Sequence, residues 1–159
     1  MYFGPIPPLM IILGYISVVP VFLGSIISFN QFLQTRKRFI IFQGVGYAAW
    51  AAFLFFTAFS FQFKLIFSIR TAFTLLVFAE FCVILFVDSI SREIFDTRKF
   101  VLLSFVSGVF IILIYMPDLM KFVISGYGEG FLDVNDLVFL NLFILLMIGT
   151  FILFYFILF

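Results

Sequence analysis

Residues 75–98 read LLVFAEFCVILFVDSISREIFDTR, and the fold class follows from this stretch. Up to Val87 it is apolar apart from one acid, Glu80. From Asp88 it turns charged, with Arg92, Glu93, Asp96 and Arg98 close together. An apolar helix that ends in a short charged connection describes a chain leaving hydrocarbon for water. An ionised carboxylate in the interior of such a helix costs a few kcal/mol on insertion scales. Glu80 is therefore expected to face other helices or to take up a proton.

The rest of the chain has the same character. It is 65% hydrophobic and 11% charged, against about half apolar and a quarter charged in a soluble domain. A chain with so little polar surface must be solvated by lipid, so the bilayer is its first partner. Phe accounts for 29 of 159 residues and is read as filler of lipid-facing and inter-helix space. The net charge of +1 offers no basic face to nucleic acid. With no His and a single Cys, Cys82, a His-ligated haem, the common zinc sites and an internal disulfide are excluded. No cofactor or metal is expected. No Ser-His-Asp or Cys-His set can be assembled, and an enzyme is not expected.

Working outward, about 20 apolar residues cross the hydrocarbon as a helix. The pattern predicts an all-α integral membrane protein, a single domain of five transmembrane helices over about 9–29, 39–61, 70–87, 100–116 and 137–159. Short connections make it an antiparallel bundle. The first segment has no Lys or Arg before it and a long apolar run, so it reads as a retained helix rather than a signal peptide. Pro20 is expected to kink it. The second segment carries Gly44, Gly46, Ala48, Ala49, Ala51 and Ala52. Small residues let membrane helices approach closely, which predicts that this helix is the most buried and opens the way to packing between copies as a homodimer. Residues 62–70 read as an outer connection. Residues 117–136 read as a Gly-rich outer loop, in which 122–124 is apolar enough to lie in the interface or form a short strand.

Orientation follows from counting basic residues. With the N-terminus outside and the C-terminus cytoplasmic, the inner connections hold Arg36, Lys37, Arg38, Arg92, Arg98 and Lys99, and the outer ones hold Lys64, Arg70 and Lys121. The positive-inside rule favours that arrangement in a multi-pass protein of the cell membrane. The six inner residues are read as topology signals, with a lipid headgroup or phosphate contact as the alternative for Arg36, Lys37 and Arg38. Phe159 closes the sequence without a flanking charge, which leads to the expectation of a piece of something longer or a shortened relative.

Several polar residues invite a functional reading. Glu80 lies eight residues before Asp88, about 12 Å inside the boundary. Tyr47 and Ser107 come out at similar depth on the neighbouring helices, so a buried polar layer of Glu80, Tyr47 and Ser107 is expected. It would be either a proton or ligand site or a packing contact. Trp50 sits mid-helix, away from the headgroup belt, and reads as packing or as a pocket wall. Arg70 reads as snorkelling to headgroups or as a gate to an outward cavity that takes an anionic ligand. Glu129, Asp133 and Asp136 offer oxygens to a divalent cation, against the plainer reading of a solvated acidic loop. The stretch ISGYGEGF lacks the Lys and Ser/Thr of a phosphate loop.

Taken together, these markers resemble the N-terminal seven-helix membrane region of sensor histidine kinases. The resemblance runs over residues 27–118. It rests on the basic loop Arg36-Lys37-Arg38 after the first helix, Trp50 within the second and Arg70 opening the third. It rests also on the closing run Phe86-Val87-Asp88 with Ser91-Arg92-Glu93, and on Met116-Pro117-Asp118 after the fourth. It implies the first part of a seven-helix bundle, acting as a sensory input module in two-component signal transduction and feeding a cytoplasmic output domain. The 159 residues hold five helices rather than seven, no kinase catalytic domain, and no His in the outer loop. Two other functions stand beside it: a small transporter or channel subunit that uses Glu80, and a structural subunit of a larger membrane complex.

Overall fold

A computed structural model describes residues 2–3, 8–92, 97–116, 120–124 and 130–134. The chain forms a helical bundle of α1 (Pro8–Thr35), α2 (Arg38–Phe63), α3 (Ile66–Arg92) and α4 (Thr97–Tyr115). The first three are long and apolar enough to cross a membrane, and α4 contributes a shorter apolar stretch, Phe100–Tyr115. The fifth helix expected over 137–159 lies outside the described residues.

The helices overrun their expected limits. The span 62–70, expected as a connection, is helical except at Lys64 and Leu65. Long cationic side chains carry their charge to water while their stems stay against apolar surface, so Arg70 does not force the backbone out of a helix. At the other end, α1 continues through Asn30–Thr35 and α3 continues past Asp88 to Arg92. What ends α1 and α2 is backbone conformation. Arg36 and Lys64 both adopt the left-handed region, at φ 57° and 55°. Their amides close back on the carbonyls of Phe32 and Ser60. This is the usual left-handed helix stop, made here without glycine.

α2 packs between α1 and α3, and α4 packs on α3. The small residues act as expected. A Cβ on Gly46 would lie 3.3 Å from the Cβ of Cys82 in α3, and one on Gly14 would lie 3.2 Å from that of Ala58 in α2. The expectation that α2 is the most buried helix is not met. In the apolar window of α3 39% of residues are buried, against 28% in α2 and 6% in α1. Both helices are central: α2 packs on α1 and α3, and α3 on α2 and α4. Ile69, Ala72 and Val77 of α3 and Ile114 of α4 make the core, with Phe53, Phe56 and Phe61 of α2 against it.

The segment after α4 is more ordered than a loop. Strands β2 (Met120–Ile124) and β3 (Gly130–Val134) pair antiparallel, and β1 (Tyr2–Phe3) adds to β3, giving the order β1-β3-β2. The strand alternative for 122–124 is the one realised. Lys121 stands opposite Asp133, which stands opposite Tyr2 on its other side. The sheet lies at the bundle end where α3 begins, in contact with that helix through β2.

Candidate functional site

The site grows out of one face of α2. Phe42, Gly46 and Trp50 recur every fourth residue, with Gln43 and Tyr47 beside them, so all five line one side of the helix. Together with Val21 of α1 and with Val83 and Phe86 of α3 they enclose a cavity of about 270 Å³. Gly46 draws α3 in, and Tyr47 keeps α1 at a distance: its ring lies on Gly24, 3.5 Å from where a Cβ would be. The cavity is the gap between these two spacings. Its lining is apolar except for the Gln43 amide, the Tyr47 hydroxyl and the Trp50 indole N–H. That combination suits a mostly apolar ligand oriented by a few polar groups. Tyr47 remains 42% exposed, so the cavity opens outward beside its ring.

α1 is joined to α2 over this cavity by two hydrogen bonds. The hydroxyl of Ser25, itself buried, donates to the Gly44 carbonyl of α2 at 2.8 Å. The Tyr15 hydroxyl donates to Oε1 of Gln62 at 2.7 Å. Where the cavity nears the α2 N-terminus, the rings of Phe39 and Phe86 meet at 6.1 Å. At that end Arg36, Lys37 and Arg38 are exposed. The Lys37 ammonium lies 5.9 Å from the Phe39 ring centroid, and none of the three makes an ion pair with a described residue. Arg98 opens α4 at the same end and is exposed, and Arg92 and Lys99 belong to the adjoining ends of α3 and α4.

The expected polar layer is not drawn together. Glu80 is 2% exposed, and its Oε2 has no hydrogen-bond partner among the described residues. Its helical spacing places it on the face of α3 that carries Phe73, Leu76, Val77, Ile84 and Val87. Tyr47 belongs to the cavity on the α1 side. Ser107 belongs to a second one of about 310 Å³ between α3 and α4, with Ser104, Gly108, Val77, Phe78 and Phe81 among its lining. Tyr47 and Ser107 line different cavities, and Glu80 lines neither, standing one turn from Val83 of the first and Val77 of the second. Trp50 takes the pocket-wall position. Arg70 is half-buried, and its Nη2 donates to the Met116 carbonyl at 3.4 Å, joining the start of α3 to the end of α4. Of the acidic trio, Asp133 is in β3 opposite Lys121, and Glu129 and Asp136 lie outside the described residues. No grouping of three metal-ligating side chains occurs among the described residues.

Sequence reasoning missed Gln43, Val83 and Phe86. Gln43 carried a signal, since it is the one amide within the apolar run 39–61. Val83 and Phe86 carried none, because apolar residues on a membrane helix look alike whether they meet lipid, a helix or a void. Compared with known proteins, the chain matches no family model, no curated protein and no solved structure.

Proposed function

We propose that the chain is a membrane-embedded sensory input module: a multi-pass protein of the cell membrane with five spans, N-terminus outside and C-terminus cytoplasmic. It performs no catalysis of its own and passes a ligand-dependent change in helix packing to a cytoplasmic signalling partner. The supporting observation is the cavity where α1, α2 and α3 meet, with Gln43, Tyr47 and Trp50 as its polar contacts. Sensing requires two states that a ligand binds unequally. α1 is the element assigned to supply them, because it forms the wall of the cavity on the side where Tyr47 is exposed.

The test places spin labels at Thr35→Cys and Ser89→Cys, in a Cys82→Ala background, on the full chain in vesicles. The expected result is a distance distribution that shifts when an apolar ligand fills the cavity. Ligand binding with an unchanged distribution would remove the sensory reading.

A second reading, a small transporter or channel subunit, is favoured by Glu80, whose Oε2 is buried without a described partner. Intramembrane acids commonly serve ion and proton paths. It predicts flux through vesicles that Glu80→Gln abolishes. Flux that is absent, or that survives the substitution, counts against it.

A further inference from the structure

The cavity ends at Phe42 and Phe86, one helical turn from the basic connection. Along α2 the lining runs from Phe42 to Trp50, about 12 Å of helix, and Arg38 lies one turn, about 6 Å, beyond Phe42. The combined length of about 18 Å exceeds half of the ~30 Å hydrocarbon core, so it accommodates the chain of a lipid of one leaflet. Arg36, Lys37 and Arg38 are exposed and make no ion pair with a described residue; Glu93 and Asp96 of the neighbouring connection lie outside the described residues. α2 opens with no acidic residue in its first turn, and its N-cap, Lys37, makes no side-chain cap bond, so the positive end of the helix dipole adds to the charge of the three cations. Gln43 is the first polar group reached on passing from that end into the cavity.

From this proximity we infer that the cavity holds the hydrocarbon chain of an anionic amphiphile whose head rests on Arg36, Lys37 and Arg38. The inference rests on the ligand-cavity reading above and names its ligand class. The anionic head meets three exposed cations. Gln43 supplies an amide to the carbonyl or carboxyl oxygen next to the chain, and the chain runs between Gly46, Val83 and Trp50. The volume of about 270 Å³ is below the usual range of small-molecule pockets, which favours one chain over two. Basic residues at this end also orient the protein in the membrane. That role alone requires neither an apolar cavity beginning one helical turn away nor a cluster without described ion pairs.

Trp50 is the sole tryptophan and lines the cavity, so its emission reports on the occupant. The full chain in zwitterionic phosphatidylcholine vesicles is titrated with dibromostearic acid, with the matching dibromo-alcohol, and with brominated phosphatidylglycerol, bromine being a short-range quencher. The expected result is saturable quenching by the acid, with the alcohol at least about tenfold weaker. The triple variant R36Q/K37Q/R38Q should weaken the acid by about tenfold or more, given the strength of surface charge attraction at a membrane. Val83→Phe, which narrows the cavity, should reduce quenching while leaving the cations in place. Saturation by brominated phosphatidylglycerol at low mole fraction assigns the head to a bilayer lipid. Saturation by the free acid alone assigns it to a free amphiphile. Equal quenching by acid and alcohol, unchanged in the triple variant, overturns the head-group inference and leaves the cavity reading standing. Absence of saturable quenching by any probe, or indifference to Val83→Phe, removes the cavity reading itself.

Discussion

Two helix-interior glycines make opposite predictions for the same substitution. In Gly46→Ala the new Cβ would lie 3.3 Å from the Cβ of Cys82, inside the ~3.5–4.0 Å optimum for carbon pairs. Neither atom is at the end of a flexible side chain, so α2 and α3 must part by a few tenths of an ångström. A gap of about 0.5 Å forfeits roughly a quarter of each contact well. Over ~40 atom pairs of ~0.15 kcal/mol each, that loses about 1.5 kcal/mol. Alanine returns up to ~1 kcal/mol of helix propensity, and less in a bilayer, where the separated helices stay helical. The net expectation is a loss of about 0.5–1.5 kcal/mol. In Gly108→Ala no described residue stands within 4 Å of the new Cβ, so only the propensity gain is expected. Reversible unfolding of the full chain in mixed micelles measures both. Gly46→Ala should fall below the parent and Gly108→Ala should equal or exceed it, a separation of about 1.5 kcal/mol. Adding Cys82→Gly should recover part of the Gly46→Ala loss by removing the opposing Cβ. If Gly46→Ala is as stable as Gly108→Ala, the close α2–α3 approach is wrong.

Other substitutions test other contacts. Ser25→Ala removes the buried hydroxyl that joins α1 to the Gly44 carbonyl and should cost about 0.6 kcal/mol, the average for such inter-helix bonds, and no more than about 1.7 kcal/mol. Ser28→Ala breaks a bond within α1 itself and should cost less in the same unfolding assay. Lys64 holds φ at 55°, so Lys64→Gly should be more stable than Lys64→Ala by about 1 kcal/mol; equality would mean that the turn is not left-handed in the bilayer. Glu80→Leu replaces a buried carboxyl whose Oε2 lacks a described partner and should leave stability unchanged or raise it. A loss above ~2 kcal/mol would show that Glu80 has a hydrogen-bonded partner.

The helices were legible because lipid imposes one rule on every span. An apolar run long enough to cross must satisfy its own backbone, and only a helix does so locally. Their ends were less legible. Arg70 and Asp88 look like boundaries in composition yet lie within α3, and the stops of α1 and α2 are set by backbone φ at Arg36 and Lys64, which composition does not encode. The α2–α3 interface was readable in part, since Gly46, Ala49 and Ala51 are small for a reason that membrane packing supplies. Helix rotation was not readable. Tyr47 and Glu80 share a depth, yet a turn of about 100° per residue carries Tyr47 away from the Gly46 face toward α1. In an amphipathic helix the polar face fixes that rotation. Here nearly every face is apolar, and only the contacts themselves decide it.

That missing rotational signal also explains why the cavity lies where it does. Between positions 42 and 50, α2 alternates a small residue with a large ring. Gly46 admits α3, and on the adjoining face Tyr47 stands against Gly24 and holds α1 away. A helix with only small residues there would close both interfaces, and one with only large rings would open both. The alternation leaves two walls, α2 with α3 on one side and α1 on the other. α1 is held by the Ser25 and Tyr15 hydrogen bonds and by the packing of Gly14, Gly24 and Phe29 on α2. A ligand entering beside Tyr47 therefore acts on α1, and α1 ends directly in Arg36 and Lys37. Displacing α1 moves the basic connection at the bundle end without disturbing the α3 core. Locking α1 to α2 with a cysteine pair at Gly14 and Ala58, whose Cβ positions come within 3.2 Å, should preserve ligand quenching of Trp50. It should abolish the ligand-dependent distance change between residues 35 and 89. Survival of that change in the locked protein would place the moving element elsewhere.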